Sequence, residues 1–221
     1  MPVTEQNPNV ATGQQVAIAI LAKAPVPGYA KTRLIPALGA DGAAALQAAM
    51  LKRTLATALA AGIGPVTLWC APDRSHPAFA EAAAQGVELA EQPAGDIGQR
   101  MLAAMSVATT RGGVIAIGTD CPALTPAHLR QAAATLAGRD AVVIPAEDGG
   151  YVLLGLRQAN AAVFTDVAWS TPQVMDQTRA RLAAAGLRHA EFSPLFDVDR
   201  SSDLPRLCSL MPALVEGKCS A

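Results

Sequence analysis

Five short runs rich in valine, isoleucine and leucine alternate with longer alanine-rich stretches, and this alternation constrains the fold more than any other feature. The apolar runs cover residues 16–22, 66–71, 87–90, 114–117 and 141–145. They are brief and mostly apolar, as buried strands are. The stretches between them, at 41–61, 76–85, 96–109 and 127–137, carry leucine, alanine, arginine and glutamine at helical spacing. Strand followed by helix, repeated, predicts a parallel sheet with helices on both faces. Thr125-Pro126 and Thr171-Pro172 each pair an N-cap residue with proline at the first helical position, which marks two helix starts. Asp148-Gly149 lies between two apolar runs, as a tight reversal requires, so a small antiparallel excursion is expected there.

At 221 residues the chain is long enough for one domain burying about 70% of the surface its unfolded form exposes. The expected organisation is a flexible tail at 1–15, one domain at 16–215 and a C-terminal tail at 216–221. A charged fraction of 16% with net charge −1 argues against a polyanion-binding surface, so nucleic acid is excluded as an expected partner. Cys70, Cys121, Cys208 and Cys219 show no metal-ligand spacing and read as reduced thiols. The N-terminal segment lacks a basic region and an apolar core, and the apolar runs are far shorter than the ~20 residues that cross a bilayer. A cytoplasmic protein without membrane attachment is the expectation. Its oligomeric state is not legible.

The segment LAKAPVPGYAKTRL gathers Lys23, Lys31 and Arg33 in a loop stiffened by Pro25 and Pro27. Such a loop at the carboxyl end of a strand suits an anion, with Gly28 allowing close backbone approach and Arg33 offering a bidentate contact. A solvated basic turn has the same spacing. Asp120 follows the apolar run of VIAIGTDCPAL, where a carboxylate can hold a divalent cation through oxygen or cap the following turn. In an extended FDVD, Asp197 and Asp199 point to one side, and either could complete a metal shell. Ser201, Ser202 and Asp203 read as a helix-capping group. Gly95, Asp96 and Arg100 stand at a helix start where loop chemistry and substrate contact are equally compatible with the spacing. His76, His128 and His189 share no ligand spacing and are expected to be bystanders. Trp69 and Trp169 read as core packing on spacing alone.

Six segments in order, PVPGYAKTRLIPALG, QPAGDIGQRM, GTDCPALTPAHL, EDGGYVLLGL, AWSTPQVM and DVDRSSDL, resemble a bacterial family of glycosyltransferase-like proteins. That family belongs to the nucleotide-diphospho-sugar transferase superfamily, whose members include 2-phospholactate guanylyltransferase and the molybdenum-cofactor nucleotidyltransferases. The resemblance implies an α/β, GT-A type, Rossmann-like domain. It assigns Lys23, Gly28, Lys31 and Arg33 to donor phosphates, with Gly95, Asp96 and Arg100 as further nucleotide contacts. Lys31, Arg33 and Asp120 would carry catalysis. Asp120 and Asp199 would hold Mg²⁺ or Mn²⁺. Asp148, Gly149, Gly150, Tyr151 and Trp169 would line the acceptor side. Where the family closes on D-x-D-T-P-x-D-L, this chain has Arg200-Ser201-Ser202 in register. The implied activity is metal-dependent transfer from a nucleotide-activated donor to a small acceptor. Nucleotidyl transfer is mildly favoured by KTRL, glycosyl transfer is the alternative, and a catalytically silent nucleotide-binding protein is a third reading.

Overall fold

All of the expected apolar runs become strands of one seven-stranded sheet in the computed structural model, which describes residues 15–107 and 112–212. Most of both expected tails, residues 1–14 and 216–221, lies outside the described residues. The strands are β1 (Ala17–Lys23), β2 (Val66–Ala71), β3 (Glu88–Glu91), β4 (Val114–Ile117), β5 (Ala141–Pro145), β6 (Tyr151–Leu156) and β7 (His189–Glu191). Their order is β3-β2-β1-β4-β6-β5-β7. β6 is antiparallel to both its neighbours, β4 and β5, and the other pairings are parallel. The Asp148-Gly149 turn makes that reversal: Gly149 has φ 95° and the Asp148 carboxylate accepts from the Gly150 amide at 2.9 Å. β7 is a three-residue strand without an apolar run, and its sequence carries no strand signal.

The helices are α1 (Ile35–Ala61), α2 (Pro77–Ala83), α3 (Ile97–Val107), α4 (Pro126–Leu136), α5 (Val174–Ala184) and α6 (Leu204–Leu210). α1, α2 and α4 cover one face of the sheet, placing Leu51, Leu55, Phe79 and Leu129 on Ile18, Ile20 and Ile115. α3 and α5 cover the other, where Met101, Met105 and Leu182 pack on Ala19, Ala116 and Val143. Gly39, at φ 71°, breaks the helical path inside α1, so the regular helix begins close to the expected Asp41.

Three expectations need correction. α4 starts at Pro126 behind the Thr125 cap as expected, but α5 starts at Val174 with Gln173 at its cap position. The Thr171 hydroxyl instead donates to the Ala168 carbonyl at 2.6 Å, closing a turn ahead of the helix. Cys208 is disulfide-bonded, whereas Cys70 and Cys121 are free and buried. Thr32–Ala61 is long and apolar enough to cross a bilayer on length and composition. Its apolarity serves the core, since Leu46, Met50, Leu51, Leu55 and Ala58 are buried within the fold.

Candidate functional site

Strands β2 and β3 lie on one side of β1, and β4 lies on the other. The chain therefore changes direction across the sheet between β1 and β4, and a crevice opens at their carboxyl ends. Ile20 stands opposite Ile117 in the register, so the residues leaving β4 run beside the last residues of β1. Gln47, 3% exposed on α1, ties the two ends together. Its amide donates to the Lys23 carbonyl at 3.2 Å and to the Thr119 hydroxyl at 3.1 Å. A lone glutamine in the apolar stretch AAALQAAML is the signal that could have found it, because a buried amide needs partners.

Lys31 and Asp120 meet across this crevice. Lys31 sits in the left-handed region at φ 50°, which costs a non-glycine residue free energy and is held only where the surroundings impose it. Its side chain is 4% exposed. The ammonium donates to Asp120 Oδ1 at 2.6 Å and to the Val198 carbonyl at 2.5 Å. The Val198 amide donates in turn to the Asp120 carbonyl at 2.8 Å. The segment at 197–199, remote in sequence, is thereby pinned to the end of β4. Arg33 pairs with Asp199.

Asp197 faces the same side. Burial, then the charges of Asp148, Asp120 and Asp199, push its carboxyl up from 3.8 to about 6. Four carboxylates and two cations thus converge from the first loop, the β4 exit, the β5–β6 turn and the 197–199 segment. Beneath them, Leu34, Leu46, Met50, Phe196, Val198 and Leu207 form a separate apolar cluster. Asp203 is structural: its carboxylate accepts from the amides of Asp199 at 2.9 Å and Arg200 at 2.7 Å, the capping role read from the sequence.

The other expected site residues lie at the end of β1 and in the loop after it, at the start of α3, and from the β5–β6 turn to the segment before α5. Lys23 ends β1 with its ammonium 5.9 Å from the Tyr29 ring centroid. Gly28 has φ 80° and open space where a β-carbon would point. Asp96 caps α3, accepting from the Gln99 amide at 2.8 Å, and Arg100 turns back to the Gly95 carbonyl at 3.0 Å. Gly149 accepts the Met175 amide at 2.8 Å, which ties the turn to α5. Tyr151 is partly buried over Met101, and desolvation raises its phenol well above the ordinary value. Trp169 lies against Gly98 so closely that a β-carbon there would collide with the indole. It also stacks on Phe164 at 6.4 Å.

Two histidines expected to be bystanders hold helix ends. His76 accepts the Ala78 amide at 3.2 Å, and His128 completes a capping box with Thr125. Burial pushes the thiols of Cys70 and Cys121 up to about 11 and about 12, so neither is a thiolate near neutrality. Among the described residues, no group of three or more His, Cys, Asp or Glu side chains is arranged to hold a metal ion.

Comparison with known proteins agrees with this architecture. A structure of a proposed nucleotide-diphospho-sugar transferase from Desulfovibrio desulfuricans G20 is 27% identical, covers 93% of each chain and superposes with a TM-score of 0.79. A nucleotidyl transferase from Methanothermobacter is 17% identical over 90% of this chain and 98% of its own, with a TM-score of 0.62. CMP:2-keto-3-deoxy-manno-octonic acid synthetase, solved with CTP, is 15% identical over 90% of this chain and 99% of its own, with a TM-score of 0.58. No curated protein matches the sequence. The family model described as "Uncharacterized protein conserved in bacteria (DUF2064)" matches residues 54–171, which include Asp120, Asp148 and Trp169. With more than half its length matched, the chain belongs to the DUF2064 family, built on the fold of nucleotide-diphospho-sugar transferases and nucleotidyltransferases.

Proposed function

We propose that this protein is a cytoplasmic transferase using a nucleotide-activated donor, and that it moves a nucleotidyl group from a nucleoside triphosphate to a small acceptor. The observation that carries this reading is the meeting of Lys31 and Arg33 with Asp120 and Asp199 at the β1–β4 crevice. Cations suited to phosphate and carboxylates suited to a divalent ion occupy one place. Asp120 and Asp199 are hard oxygen donors of the kind Mg²⁺ and Mn²⁺ prefer, so their chemistry suits such an ion. When bound, the ion would neutralise charge gathering on the donor phosphates.

The chain's own residues supply positioning and charge. Lys31 holds Asp120 and Arg33 holds Asp199, and with a donor bound these cations would turn to phosphate oxygens, leaving the two carboxylates to hold the ion. An acceptor phosphate oxygen then forms a bond to the α-phosphorus while the bond to the bridging oxygen breaks, and the electron pair leaves on pyrophosphate. Lys31 and Arg33 stabilise that leaving charge. No protein nucleophile is required, in keeping with protonated buried thiols. Gly149, Gly150, Tyr151 and Trp169 form the proposed acceptor side, and Gly95, Asp96 and Arg100 are proposed nucleotide contacts.

The relative from Desulfovibrio supports a second reading, glycosyl transfer from a sugar nucleotide. Melting with Mg²⁺ and matched concentrations of nucleoside triphosphates and sugar nucleotides separates the two, because the shift follows RT ln(1 + [L]/Kd). The triphosphates should stabilise more. A sugar nucleotide giving the larger shift replaces nucleotidyl by glycosyl transfer, and no shift with any ligand leaves a fold without the proposed activity.

A further inference from the structure

Arg206 touches none of the site's carboxylates, yet it contacts the immediate chain neighbours of two of them. Its guanidinium makes two parallel bonds to Glu147, at 2.5 and 2.9 Å, and its central carbon lies 4.2 Å from the Phe196 ring centroid. Glu147 directly precedes Asp148 in the β5–β6 turn, and Phe196 directly precedes Asp197. The backbone joining these two segments is thin. Beyond β7 the pairing shrinks to a single bridge between Ala146 and Leu195. It is flanked by the Leu195 amide on the Pro145 carbonyl at 3.0 Å and the Glu147 amide on the Leu195 carbonyl at 3.2 Å.

We infer that Arg206 is a positioning residue: by forking onto Glu147 and stacking on Phe196, it fixes the 195–199 segment against the β5–β6 turn and sets the spacing of Asp148, Asp197 and Asp199. The inference rests on the reading of these carboxylates given above. A guanidinium is the group for this task, since its planar fork matches a carboxylate in two bonds while its face lies on an aromatic ring. Lysine provides charge but neither geometry. Both partners are about half exposed, at 50% and 46%, so the pair contributes little to global stability. Its effect falls on geometry, where a displacement near an ångström weakens a site built from converging charges.

The test uses the full chain and two readouts, amide hydrogen exchange and Mn²⁺ affinity by electron paramagnetic resonance, on Arg206→Gln, Arg206→Lys and Glu147→Gln. Arg206→Gln and Glu147→Gln should speed exchange at the Glu147, Leu195 and Val198 amides about 10-fold or more and leave β1 and β4 amides unchanged. Mn²⁺ should bind about 10-fold more weakly, Arg206→Lys should fall between, and melting should shift by only a few degrees. Unchanged exchange at those amides in both glutamine variants overturns the inference. So does a loss spread across β1 and β4 with a collapse in melting temperature, which marks a purely structural residue. If the parent protein takes no Mn²⁺, the proposed metal site fails, and the exchange pattern still decides the role of Arg206.

Discussion

Arg179 and Lys31 both answer carboxylates, and the contrast between their surroundings separates surface support from a built site. Arg179 pairs with Asp176 one helical turn away at 2.6 Å and with Glu191 on β7 at 2.8 and 2.9 Å. It projects from a regular helix, and its side chain is 41% exposed. Lys31 pairs with Asp120, 89 positions away, from a left-handed backbone and with its side chain nearly excluded from solvent. The first arrangement combines one local helix pair with a contact to a neighbouring edge strand, and it is screened by water. The second requires a loop, a strand exit and a distant segment to be brought together against conformational preference.

Asp120→Ala should abolish metal-dependent triphosphate binding, about 10²-fold or more by calorimetry. Arg33→Lys should weaken it less than Arg33→Ala, because the charge survives and the fork does not. Wild-type affinity for Mn²⁺ and nucleotide in Asp120→Ala removes the site from the molecule. Arg179→Ala should leave binding intact and change stability by at most about 1 kcal/mol.

A smaller effect concerns Asp197. Its folded carboxyl titrates near 6 against an ordinary 3.8, so the native state holds the proton more tightly than the unfolded chain. Stability from this group is fully present below the unfolded value and is lost as pH rises through about 6. Asp140, Glu147 and Glu191, held by arginines below their usual range, act in the opposite direction and below that window. Between pH 4.5 and 7 the parent's melting temperature should therefore fall relative to that of Asp197→Asn, by about a few degrees. Parallel curves for the two proteins would show that neither burial nor the surrounding carboxylates burden Asp197.

His128→Ala removes one half of the Thr125 capping box, so it should cost about 0.5–1 kcal/mol in denaturant unfolding while nucleotide affinity stays at the parent value. A change in affinity would extend the site to the start of α4.

Sequence alone determined the elements whose causes are local. Mostly apolar runs identified β1, β2, β4 and β5 because buried strands are mostly apolar, and Asp148-Gly149 marked the reversal because that turn needs a left-handed backbone. Thr125-Pro126 marked α4 for an equally local reason. The carboxylates and cations of the crevice were legible as residue types, through their positions after strands and their resemblance to a family pattern. Tertiary structure alone decided who meets whom. Neither Gln47 holding two strand ends, nor the Asp148 charge facing Asp197, nor Arg206 spanning Glu147 and Phe196 follows from spacing, because each joins residues dozens of positions apart whose distance depends on how the sheet is ordered. β7 escaped for the same reason: three residues with no apolar run become a strand only because β5 leaves an edge beside them.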